Sequence, residues 1–404
     1  MFTKRHLVFI SLLLALVFHF IFYWNYYGPS ISILRGDLKY LFGISSATIL
    51  IFLYFTTYWR VDLKGNYSTL LIDVLIFWIF ISLVRSSLEI GGINDAISFV
   101  FSNYMALSLL PVFFIIVGVN PNYFSLVNRS LFAYTIISFF FSLLFINSFE
   151  LQLYLVYPLF FIVLTIPLRS TWGKVLIIAI SISVIIVSLT NRAGIIRILF
   201  SYCILAAYYI MQKVNVNKRF LFTIIFFVLM LPVVSLYLGI NGQSVFQIIL
   251  GEENSTYSQL NPYADTRTFL YYEVFQDLKG NDALLFGKGL NAGYDSPSFR
   301  TYRREVVEVG FLQILMKMGI IGFVLYISVI TLAIFKAIGR SRSLFLKSLG
   351  FLLTGYIIML FVENQVAYNI FNVIIWISVG ICLSPHYREL SDYEIKLMFN
   401  KRIF

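Results

Sequence analysis

The order of apolar and polar positions sets the first expectation. Apolar runs of about 20 residues recur along the 404-residue chain. As helices, such runs are long enough to cross a hydrocarbon core of roughly 30 Å. They do not alternate apolar and polar residues over about 10 positions, as membrane β-strands would. The pattern predicts twelve helical spans, at 7–27, 40–59, 68–84, 97–118, 130–148, 152–168, 174–190, 194–211, 220–240, 306–336, 346–363 and 367–384. The expected fold class is all-α, a polytopic integral membrane protein. One stretch departs from the pattern. From Ile240 to Glu305 the chain is polar for about 65 residues, then enters hydrocarbon on a helix expected to start beside Arg303-Arg304-Glu305. The chain thus divides into membrane helices at 1–240, a large loop at 241–305, membrane helices at 306–384 and a polar tail at 385–404. Long loops of this kind tend to carry function.

Composition sharpens this picture. The chain is 60% hydrophobic and 12% charged, with a mean hydropathy of +0.87; a soluble domain carries roughly 25% charged residues. The net charge of +11 reads as topology rather than as a nucleic-acid surface. With the N-terminus in the cytoplasm, 18 of the 30 Lys and Arg fall on the cytoplasmic side and 11 outside, or 5 outside without the long loop. Short loops rich in Lys and Arg stay inside, so both termini are expected in the cytoplasm and the large loop outside. The run from Leu7 to Tyr27 is too long for a signal peptide and no small-residue cleavage site follows it, so it reads as a retained helix. Cys203 and Cys382 lie inside apolar runs and read as packing residues. No cofactor and no metal is expected. No internal repeat is visible, which weighs against a transporter built on repeats.

Four patches on the expected outer side carry candidate chemistry. In Thr190-Asn191-Arg192-Ala193-Gly194 a short break is followed by Arg197, already inside an apolar run. A bare guanidinium in lipid costs at least about 2.5 kcal/mol, so such arginines face a cavity or a partner, or snorkel to the headgroups. Asp265 reads as the N-cap of a helix through Leu278, with Phe269, Tyr272, Phe275 and Leu278 as an apolar stripe on the membrane surface. Arg267 in its first turn suits an anion beside free backbone N–H groups, or an ion pair with Asp265 or Glu273. Leu284 to Tyr294 is glycine-rich around Lys288 and reads as a tight turn, since the spacing of a nucleotide-binding loop is absent. Arg303, Arg304, Glu305 and Glu308 gather where the next helix begins, with Arg304 and Glu308 on one face at i, i+4. Glu308 there is either a general base or half of an ion pair. Lys317 falls on the opposite face. Glu363, in Glu363-Asn364-Gln365, is a second candidate acid.

Together these features resemble the Wzy-type O-antigen and capsule polymerases, within the wider group that includes the O-antigen ligases. The motifs that carry the resemblance are Asn191-Arg192-Ala193-Gly194, Arg267 followed by Leu285-Phe286-Gly287-Lys288-Gly289, and the stretch from Glu308 to Gly322. The resemblance implies a glycosyltransferase of the bacterial cytoplasmic (inner) membrane acting on its external face. It would move a growing chain from undecaprenyl diphosphate onto the next undecaprenyl-diphosphate-linked oligosaccharide, without metal or nucleotide sugar. Arg192, Arg197 and Arg267 would bind diphosphates, with Arg303 and Arg304 behind them and Lys288 and Glu305 as secondary candidates. Glu308 would be the acceptor base. The implied partners are the lipid-linked oligosaccharide, the lipid bilayer, and a chain-length regulator and flippase of the same pathway. Ligases of the group have a histidine near the end of the large loop. The three histidines here, His6, His19 and His386, all lie elsewhere, which favours a polymerase. A lipid-linked-sugar flippase is the rival of another class, but it needs no such loop. A lipid-phosphate-sugar transferase of the other membrane architecture would carry paired acids in its first external loop, where this chain has only Asp37.

Overall fold

A computed structural model describes residues 3–27, 36–57, 67–144, 154–187, 192–214, 216–240, 268–297 and 301–400. The helices used below are α1 (Lys4–Tyr27), α2 (Tyr40–Thr57), α3 (Tyr67–Leu88), α4 (Ala106–Val119), α5 (Phe124–Leu143), α6 (Leu159–Leu164) and α7 (Thr171–Val187). They continue with α8 (Arg192–Lys213), α9 (Lys218–Ile240), α10 (Thr268–Gly280), α11 (Gly310–Arg340), α12 (Leu344–Leu360), α13 (Ile370–Leu383) and α14 (Asp392–Asn400). A two-stranded antiparallel ribbon, β1 (Tyr294–Ser296) and β2 (Thr301–Arg304), leads into α11.

The chain is mostly helical. Among the described residues five helices are long and apolar enough to cross a membrane, and six shorter apolar helices accompany them. Of the run expected as a span at 152–168, the described residues 154–168 form an interrupted helical stretch, with a turn at 156–158, the six-residue α6 and a 3₁₀ turn at Ile166–Leu168, because Pro158 and Pro167 break it. Every residue of α13 is buried, and α13 packs on α4, α11 and α12. Small residues let these backbones approach: a Cβ at Gly118 would lie 2.0 Å from the Ile377 oxygen, and one at Gly380 2.3 Å from the Ile115 oxygen. Cys382 is buried here, as expected, whereas Cys203 is exposed on the outside of the bundle. The tail caps α12: the Asp392 carboxylate accepts the backbone N–H groups of Leu344 at 3.2 Å and Phe345 at 3.0 Å.

The helix after the loop differs from its expectation twice. Residues 301–304 are strand rather than wet helix end, and α11 starts only at Gly310. It then breaks at Gly319, whose φ of 69° and ψ of −175° are open to glycine alone. Buried backbone groups need hydrogen-bond partners, and the glycine-rich turn supplies them. Ile320 and Ile321 donate to the carbonyls of Leu284 at 2.9 Å and Leu285 at 3.3 Å, and Lys288 N donates to Met316 O at 2.7 Å. Trp78 on α3 donates its indole N–H to Met318 O at 3.1 Å. Arg85 in turn holds the Phe286 and Gly287 carbonyls at 2.8 and 3.0 Å. Part of the loop is therefore built into the packing of α3 and α11. The leg from 320 to 340 still rises about 31 Å at 1.5 Å per residue, enough to span.

Candidate functional site

The site grows from the start of α11 and the end of α12. Gly310 N–H donates to the Glu363 carbonyl at 3.2 Å, and the Asn364 amide donates to Val307 O at 2.8 Å. From α10, the Tyr271 hydroxyl donates to Phe361 O at 2.7 Å, and Phe311 stacks on Phe361 with ring centroids 4.3 Å apart. Asn372 ties down the next turn, donating to the Gln365 and Ala367 carbonyls and accepting from the Tyr356 hydroxyl at 2.9 Å. Residues 361–369 thus form a fixed polar turn between two apolar helices.

Arg197 reaches this turn from α8. It is 5% exposed and does not snorkel; its guanidinium pairs with Glu363, which is 27% exposed. A second nitrogen donates to the Tyr157 hydroxyl at 2.8 Å, and the rings of Tyr157 and Phe371 flank the cation. The expected cost of a lone intramembrane arginine is met by a carboxylate 166 residues away in sequence.

Glu363 also lines a cavity of about 150 Å³. Its other walls are Phe22, Tyr23, Tyr26 and Tyr27 at the end of α1, Tyr104 before α4, Tyr154 and Tyr157 before α6, and Asn364, Gln365, Ala367 and Asn369. Tyr154 lies parallel to both Tyr23 and Tyr27, with centroids at 4.6 and 4.8 Å. His19 sets this wall in place: Nε2 faces the Tyr154 carbonyl at 2.9 Å and Nδ1 faces the Ile370 N–H at 3.4 Å. Those partners require the tautomer that carries its proton on Nε2. None of these tyrosines stands out in the sequence, because aromatic residues at helix ends ordinarily mark the membrane interface.

The other sequence candidates separate into groups. Arg304 and Glu308 do meet, at 3.1 Å, but through a strand and a turn rather than on a helix face. Burial pushes the Tyr294 phenol in β1 above its usual range, and the neighbouring Arg304 charge pulls it back. Glu305 is exposed in the turn between them. Lys288 is tied to Asp277 at 2.8 Å and to the Gly293 carbonyl at 2.9 Å, beside an open cleft of about 320 Å³ that includes Glu89 and Asp295. Lys317 is buried, donating to Leu290 O at 2.5 Å. Arg192 opens α8 and Arg303 lies in β2, with side chains outside the described residues. Arg267 and its expected cap Asp265 also lie outside them. Tyr272 of the stripe expected on α10 is exposed, and the buried face of this helix is Leu270, Tyr271, Val274 and Leu278. That spacing follows the 3.6-residue turn and packs against α9 and α11. Among the described residues no three His, Cys, Asp or Glu side chains converge as a metal site.

With this geometry in place, one comparison with known families bears on it. Residues 175–327 match the Wzy_C family model, described as O-Antigen ligase. No curated protein and no solved structure matches the chain. The Wzy_C stretch runs from α7 through the large loop into the second leg of α11, under half of the chain. It contains Arg192, Arg197, Arg267, Arg303, Arg304 and Glu308, together with the glycine turn and the helix break it fills. Glu363 and the tyrosine cavity lie outside it.

Proposed function

We propose that this protein is a polysaccharide repeat-unit polymerase of the bacterial cytoplasmic membrane, with twelve membrane segments of which the one at 152–168 is interrupted, both termini in the cytoplasm and the large loop outside. A hydroxyl of an undecaprenyl-diphosphate-linked oligosaccharide attacks the anomeric carbon of the growing chain. Its proton passes to a carboxylate as the new C–O bond forms. The bond from that carbon to the diphosphate oxygen breaks, and undecaprenyl diphosphate leaves. The Wzy_C match supports the substrate class, and the absence of histidine from the large loop favours a polymerase over a ligase.

The observation that carries the reading is the Arg197–Glu363 pair at the wall of the aromatic cavity. We place the acceptor base at Glu363 rather than Glu308, because Glu363 is the carboxylate at this cavity and a fixed guanidinium keeps it oriented. Arg197 is then a positioning residue. The diphosphates fall to Arg192, Arg267 and Arg303, whose fixed charges stabilise the negative charge that develops on the leaving group. Arg267→Ala and Arg192→Ala are each expected to slow chain extension by roughly 10²–10³-fold with the melting temperature unchanged. The measurement is extension of a purified lipid-linked repeat unit by the protein in lipid nanodiscs. An Arg267→Ala protein working at full rate would remove the loop arginine from the reaction.

A further inference from the structure

The cavity beside Glu363 is built differently from an interfacial aromatic belt. Belt residues present their rings to lipid headgroups, whereas Tyr23 here is 8% exposed and stacks inside the bundle. The opposite wall is polar, formed by Glu363 and its turn. The volume of about 150 Å³ is roughly ten times what a single water needs. Parallel phenol rings offer an apolar surface with hydroxyl edges, and Glu363 offers acceptor oxygens. A sugar ring has the matching chemistry: C–H groups on its faces and hydroxyls around its rim. An apolar lining with a few fixed polar groups is also the general form of a small-molecule site.

We propose that this cavity is a sugar subsite, in which Tyr26, Tyr27, Tyr104 and Tyr154 hold a pyranose ring of the oligosaccharide and present one of its hydroxyls to Glu363. The proposal rests on the polymerase reading for the identity of the occupant, and it adds the residues that select it. The site takes its tyrosines from α1 and from the segments before α4 and α6, all outside the Wzy_C stretch. Sugar selection is thereby separated from the diphosphate-binding arginines. Tyr26 is 72% exposed and stands at the rim, so its substitution leaves the bundle intact.

The test is saturation-transfer NMR on the full-length protein in lipid nanodiscs. The probes are the methyl glycosides of glucose, galactose, mannose and N-acetylglucosamine. At least one glycoside is expected to contact the protein. Tyr26→Ala and Tyr104→Phe should each weaken that contact two- to tenfold, the range for one lost aromatic or hydroxyl contact. Arg267→Ala should leave it unchanged. Contact with no glycoside, or contact of equal strength in both tyrosine variants, overturns the subsite. Chain extension, measured on the same samples, keeps the two ideas apart. Extension at wild-type KM in both tyrosine variants retains the polymerase and discards the subsite. Glycoside contact that depends on the tyrosines, in a protein that extends nothing, retains the subsite and discards the polymerase.

Discussion

Glu363→Gln is expected to lower the rate of chain extension by roughly 10²–10⁴-fold, the contribution of a positioned general base. The amide keeps the shape of the side chain and removes its ability to take a proton. It also removes the partner of a buried guanidinium. Breaking a buried ion pair costs about 3–5 kcal/mol, and the 27% exposure of Glu363 moves this one toward or below the lower end. A fall in melting temperature should therefore accompany the loss of activity. The double variant Arg197→Met with Glu363→Gln separates the two effects. Taking out both charges leaves no bare cation, so stability should return while activity does not. Arg197→Lys should keep more activity than Arg197→Met, because it retains a charge but not the planar fork. Glu308→Gln should cost less than tenfold. Extension by Glu363→Gln within tenfold of wild type would end the assignment of the base.

The second large effect is on the fold. Gly319→Ala should destabilise the protein by more than about 3 kcal/mol and yield little monodisperse material after detergent extraction. The backbone conformation alone costs a non-glycine residue about 1–3 kcal/mol. The added Cβ would also sit 2.1 Å from the Leu285 oxygen. The glycine turn is then pushed out of the helix break, and the bonds from Ile320 and Ile321 to Leu284 and Leu285 are lost. Gly287→Ala should act in the same direction, since its φ is 74° and its Cβ would meet Gly319 N at 2.5 Å. Fluorescence-detected size exclusion and a thermal ramp read both effects. A Gly319→Ala protein that melts like wild type would mean that α11 runs straight through this position.

These two sites show what hydropathy reveals and what it conceals. The membrane class follows from apolar runs alone, and Arg197 draws attention because a cation inside such a run needs a partner. The partner does not follow, since Glu363 is far along the chain and is joined to Arg197 only by the packing of α8 on α12. The break at Gly319 is equally hidden. The run from 306 to 336 has the composition of one continuous span, and the groups that compensate its break come from a turn some 30 residues upstream and from α3. The pairing of Arg304 with Glu308 was legible from spacing, but the strand that delivers Arg304 was not, because its ladder depends on β1. For α10, counting aromatic residues every three positions did not point to the buried face, which follows the turn of the helix at Leu270, Tyr271, Val274 and Leu278. The tyrosine cavity escapes the sequence because its walls come from four separated stretches, each unremarkable alone.

The most direct test of the central claim uses the purified wild-type protein in sealed lipid vesicles with an undecaprenyl-diphosphate-linked repeat unit as the only substrate. The account predicts a ladder of lipid-linked products, each longer by one repeat unit, with undecaprenyl diphosphate released in step. Movement of the unaltered lipid across the bilayer, with no product longer than one repeat unit, would contradict it and leave a transporter in place of the polymerase.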